Sequence, residues 1–176
     1  MSLKLKVNIT KGWPNPQILE ETLAPNTGVT IEAGMIGSKD PATGKWRLGL
    51  PGIAGDVPYI FLNDSGDPDA NRGAHEAGAL YVQIGWGGVH GISLTQPLEI
   101  QTTQFDSAQT FAVGDQVYVH TDGKLKRGVD SAGAKVAGST NGAVIVGIVT
   151  VPSHTIGKST FITFTTDLSK RLVPNS

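Results

Sequence analysis

Along residues 111–127, Val113, Val117 and Val119 fall on one parity, and Gln116, Tyr118 and His120 fall on the other. Alternate residues of a strand leave opposite faces, so this pattern predicts an apolar face and a polar one. Asp122-Gly123 marks a turn, and the register decides its length. A two-residue loop would pair Val119 with Lys126 and His120 with Leu125, mixing the faces. A three-residue loop, Thr121-Asp122-Gly123, pairs Val119 with Leu125 and Val117 with Arg127. The second register keeps Leu125 on the apolar face and is the predicted one. Gly123 then takes the left-handed conformation that closes such loops, and Lys124 and Lys126 point to solvent.

A shorter version of this lettering occurs about eighty residues earlier, in Ile31-Glu-Ala-Gly-Met-Ile36 followed by Thr43-Gly-Lys-Trp-Arg47. Both stretches run apolar residue, Gly, short strand, Gly-Lys, apolar residue, basic residue. Matches this short fit an internal repeat, and fit equally well two unrelated hairpins with a Gly-Lys turn.

Elsewhere the same alternation predicts further strands. Leu3, Leu5, Val7 and Ile9 share one face of residues 3–10, opposite Lys4, Lys6, Asn8 and Thr10. That segment can pair within its own sheet or reach as an arm to the sheet edge of a neighbour. Gly12-Trp13-Pro14-Asn15-Pro16 ends it, because proline cannot donate to a ladder. Residues 17–23 suit a helical turn or an extended link. Residues 29–36 and 46–50 form the predicted first hairpin, and 59–62, 80–84, 92–95, 98–102 and 161–165 are further strands. Residues 143–151 are nearly all apolar and β-branched, as in a central strand covered on both faces. Residues 63–78 read as a long surface loop and 168–176 as a tail. No stretch holds a helical apolar period over three turns. The expected fold is all-β, with about ten short, mainly antiparallel strands in a barrel or sandwich, long loops and little helix. No linker divides residues 1–176, so a single domain is expected.

Composition narrows the function classes. Net charge is −1 with 16% charged residues, which does not suit binding by phosphate neutralisation. The absence of cysteine removes disulfides, thiolate nucleophiles and zinc–thiolate sites. No apolar run approaches the roughly 18 residues of a membrane span, and Met-Ser-Leu-Lys-Leu-Lys-Val does not read as a signal peptide.

Candidate chemistry is sparse. His75, His90, His120 and His154 show no metal-ligand spacing and read as surface residues. Asp64, Asp67 and Asp69 form a calcium candidate, since hard oxygens converge from one loop, but the distal bidentate Glu of an EF-hand is missing. Gly85-Trp-Gly-Gly-Val-His-Gly91 is glycine-rich, yet a strand-like segment ending in Pro97 follows it where a phosphate loop needs a helix. No Gly-x-Ser-x-Gly elbow occurs. Trp46 alternates with Leu48 and Leu50 and reads as core. Trp13 and Trp86, among Gly and Pro, read as surface aromatics for a protein or sugar partner, with Leu3 and Leu5 as further interface candidates. No catalytic residue, metal or cofactor is assigned.

In their order, Ile31-Glu-Ala-Gly-Met-Ile36, Thr43-Gly-Lys-Trp46, Thr103-Gln-Phe-Asp106, Phe111-Ala-Val-Gly-Asp-Gln-Val-Tyr-Val119, Thr121-Asp-Gly-Lys-Leu125 and Val144-Ile-Val-Gly-Ile-Val149 resemble the capsid decoration, or cement, proteins of tailed-phage heads. The resemblance covers roughly residues 29–151. It implies a non-enzymatic virion protein, made in the bacterial cytoplasm, that binds the outer surface of the capsid and stabilises the head. Its implied partners are the major capsid protein and further copies of itself, often as a trimer, with no nucleic acid and no membrane. A carbohydrate-binding or tail-fibre module using the exposed aromatics is the alternative.

Overall fold

The computed structural model describes residues 6–11, 20–50, 56–65, 88–129 and 145–167. These hold eleven strands and no helix: β1 (Val7–Lys11), β2 (Glu20–Leu23), β3 (Ile36–Lys39), β4 (Trp46–Leu48), β5 (Tyr59–Phe61), β6 (Val89–Ser93), β7 (Glu99–Thr102), β8 (Gln116–Val119), β9 (Leu125–Val129), β10 (Ile145–Ile156) and β11 (Ser159–Thr165). Every pairing between them is antiparallel. One sheet runs β1-β7-β11-β10-β8-β9 and the other β2-β6-β5-β3-β4. Neither sheet closes on itself, so the barrel alternative is not realised and the architecture is a sandwich. Their facing apolar sides make one core. Ile36, Ile60 and Ile92 of the smaller sheet meet Ile100, Ile162 and Phe164 of the larger, all fully buried.

Without β1, the two sheets have the same strand order, each strand of the larger being the fifth after its counterpart. The equivalence reaches single hydrogen bonds. Asn26 donates its amide to the Trp46 carbonyl (2.8 Å), and Asp106, eighty positions on, to that of Leu125 (2.9 Å). Gly34 donates to Phe61 (2.7 Å), and Gly114 to Val149 (2.9 Å). The register Ile36↔Ile60, Gly37↔Tyr59 recurs as Gln116↔Ile148, Val117↔Gly147. Of the two readings of the echo, the structure selects the internal repeat, and it extends the repeat over five strands of each sheet.

The lead-in to each hairpin departs from expectation. Residues 31–35 form a turn rather than strand, because the Met35 amide returns to the Glu32 carbonyl (3.0 Å) around Gly34 at φ 88°. Strand β3 therefore starts only at Ile36. Gly114 at φ 91° does the same before β8, which leaves Val113 in the turn and exposed instead of on the apolar face. Gln116 and Tyr118, expected on a solvated face, are buried with the rest of β8. Residues 20–23 take the extended alternative as β2.

The turn at Gly123 follows the predicted register, with Val119↔Leu125 and Val117↔Arg127 paired. Its φ is 79°. This turn also docks on the other sheet, where the Gly123 carbonyl accepts the Ile36 amide (2.8 Å). A Cβ at Gly123 would lie 2.8 Å from Leu48 Cδ2 and 3.1 Å from the Ile36 carbonyl oxygen. Its counterpart Gly44, at φ 68°, has nothing within 4 Å of that position.

The two halves stabilise one turn by different chemistry. Asp115 is fully buried; its Oδ2 accepts the Ala112 amide (2.7 Å) and lies 2.6 Å from Arg127 Nε. At the matching place, Met35 Sδ takes the Glu32 amide (3.4 Å), and Leu48 replaces the arginine. A buried ion pair in one half is thus an apolar pair in the other.

Two stability measurements follow. Gly123→Ala combines a left-handed backbone with a tight contact and should cost about 2–4 kcal/mol by chemical denaturation; Gly44→Ala, strained only in its backbone, should cost about 1 kcal/mol. Arg127→Leu alone strands the Asp115 carboxylate and should cost about 3–5 kcal/mol, whereas Arg127→Leu with Asp115→Met copies the first half and should lie within about 1 kcal/mol of the parent.

Candidate interaction surfaces

The interface candidates Trp13, Trp86, Leu3 and Leu5 lie outside the described residues, as do Asp67, Asp69 and His75. Asp64 is described, and its carboxylate is engaged on both oxygens. Oδ1 accepts the Ala33 amide (2.7 Å) and Oδ2 the Lys6 ammonium (2.7 Å). Lys6 also reaches Glu32 (3.1 Å), which accepts from Gln104 Nε2 (3.2 Å). Burial works to lower the Lys6 pKa, but hydrogen bonds and charges from Asp64 and Glu32 outweigh it and hold it above the ordinary lysine value. This network ties β1 to the Gly34 turn and to the segment after β7. Among the described residues no group of three or more His, Cys, Asp or Glu is placed to hold a metal ion.

The other histidines separate. His120 Nδ1 lies 3.1 Å from Asp122 Oδ1, within the hairpin turn. Burial acts to raise the Asp122 carboxyl, but the Lys124 amide and His120 hold it below the usual carboxylate value. His154 Nδ1 is 3.0 Å from the Pro152 carbonyl oxygen. Contrary to the surface reading, His90 is buried, because β6 lies inside its sheet between β2 and β5. Its amide donates to Asn63 Oδ1 (2.7 Å) and its carbonyl accepts from Leu62. Lys126, expected to face solvent, is only a quarter exposed and approaches Asp106 at 3.8 Å.

The surface has two features the sequence did not reveal. The first is a projecting ribbon. Strand β10 pairs with β8 only through Ile148, and β11 pairs with β7 only from Ile162 onward. Between those points the two strands pair only with each other, to a turn at Gly157. The central strand predicted for residues 143–151 is therefore buried through Val149 and then runs out into solvent to Ile156. Val151 and Ile156 are 42% and 54% exposed and, with Val113, are the exposed large apolar residues among those described.

The second feature is an uncovered sheet edge. The outer edge of β4 takes bonds from the 24–26 segment, and that of β9 from 104–106. Strand β1 covers β7 and is itself broken by a register shift between Ile9 and Lys11. A bulge and flanking lysines are ordinary guards against edge pairing. Strand β2 pairs with β6 on one side and has no partner on the other among the described residues. Of the predicted N-terminal strand, Val7 onward pairs with β7.

A pH measurement follows from His90. Burial lowers its pKa from 6.5, so the folded state disfavours the charged ring. The resulting stability is complete above pH 6.5 and is lost as pH falls through the lower folded value. The expected slope is at most about 1.4 kcal/mol per pH unit, and His90→Gln should remove it in denaturation curves taken between neutral and mildly acidic pH.

No protein-family model, no curated protein and no solved structure matches this chain.

Proposed function

We propose that this chain is a structural protein of a tailed-phage head, bound to the outer surface of the capsid and reinforcing it without catalysis. The observation that carries the reading is the use of the residues behind the resemblance. Gly34 and Gly114 turn the chain into equivalent strands, Gly44 and Gly123 close equivalent hairpins, and Trp46 and Leu125 fill equivalent buried positions. Asp115 pairs with Arg127 inside a turn. Residues so used specify a rigid shape that can present surfaces to other proteins. A net charge of −1 suits contact with protein rather than with packaged DNA. The exposed apolar ribbon and the β2 edge, which has no outer partner among the described residues, supply places for such contact.

The test is sedimentation with capsids. Purified chain mixed with expanded, undecorated capsids of its own phage should pellet with them to a saturating ratio and raise their thermal stability. A chain left wholly in the supernatant overturns the reading.

A further inference from the structure

The internal repeat marks a position where a strand is missing. In the larger sheet, β7 carries β1 on its outer edge; in the smaller, the equivalent β2 carries nothing among the described residues. Thr103 donates its amide to the Lys6 carbonyl before β1 (2.9 Å), so Gln101, two residues back, also faces β1. Its counterpart is Thr22, since Gln101 pairs with Thr163 as Thr22 pairs with His90; the His90 carbonyl is turned the other way, to the Leu62 amide, so the Thr22 N–H points to the outer edge. Strand β1 cannot serve both sheets, because it already covers β7.

Among the described residues, one further strand pair has free edges, the ribbon. Two-stranded ribbons are marginal in water by themselves, and this one exposes Val151 and Ile156. Its two edges differ. Pro152 removes a donor from the β10 side, while Ser159–Phe161 leave the β11 side able to pair. Lys158 brings a positive charge to the tip, and β2 opens with Glu20, ahead of Glu21, which is paired with Lys39 (3.1 Å).

We propose that the ribbon of one copy adds to the β2 edge of a second copy, with Ser159–Phe161 extending the sheet that ends at Glu20–Leu23. The contact joins two different surfaces, so it runs head to tail and closes into a ring when the rotation permits. It stands independently of capsid binding.

Light scattering after size exclusion tests it on the full chain. Val151→Ser with Ile156→Ser disables the ribbon; Thr22→Pro removes the outward amide of β2. Circular dichroism checks that both variants fold. The parent should self-associate over a concentration series, and each folded variant should be monomeric. Mixed, the two should give a 1:1 dimer and nothing larger, because one sound ribbon meets one sound edge. Should Thr22→Pro not fold, Glu20→Lys keeps the amide and should lose the assembly, and adding Lys158→Glu should restore it. A parent that stays monomeric, a folded variant that still assembles, or folded variants that ignore each other overturns the proposal.

Discussion

Each sheet of this protein has an apolar face that no element of its own half covers. The two faces bury one another, and everything else depends on that. Ile36, Ile60 and Ile92 share one buried cluster with Ile100, Ile162 and Phe164, while Trp46, Tyr59, Phe61 and Val89 form a second cluster within the smaller sheet. Each such side chain contributes roughly 1.5–3 kcal/mol when fully buried. The turn at Gly123 reinforces the pairing, since it lies on Leu48 and bonds Ile36 across the sandwich.

Within this frame the halves have diverged where the frame permits. Backbone bonds are kept, because an unpaired buried amide costs more than most side-chain changes. Side chains are kept only in volume and polarity balance. Ile31 answers to Phe111 and Trp46 to Leu125, all buried. The Met35 and Leu48 pair against Asp115 and Arg127 is the sharpest case. Both solutions satisfy the same amide, one with sulfur and one with a carboxylate that then needs a cation. Among the described strands, β1 has no counterpart in the smaller sheet.

The hairpin at 111–127 was legible because its register is a local matter. A three-residue loop was the one choice that kept Leu125 with the valines, and left-handed Gly123 followed from it. Val113 misled because parity says nothing about where a strand begins. Gly114 turns the chain before the pattern starts to apply. His90 misled for a related reason: alternation shows which residues share a face, but not that β6 is enclosed by β2 and β5. The repeat was barely visible, since hydrogen-bond geometry is conserved between the halves while letters are not. The ribbon was hidden inside an apolar run that reads as buried throughout.

From the sequence alone came the all-β class, the strand-rich and turn-rich single chain, the hairpin register and the left-handed glycine. These depend on side-chain parity and backbone sterics over a few residues. Tertiary structure decided which strands are neighbours, that the order repeats, which edge is left uncovered, and where β10 leaves the core. Those outcomes depend on contacts between residues tens of positions apart, whose energies come from mutual burial and leave no local mark in the chain.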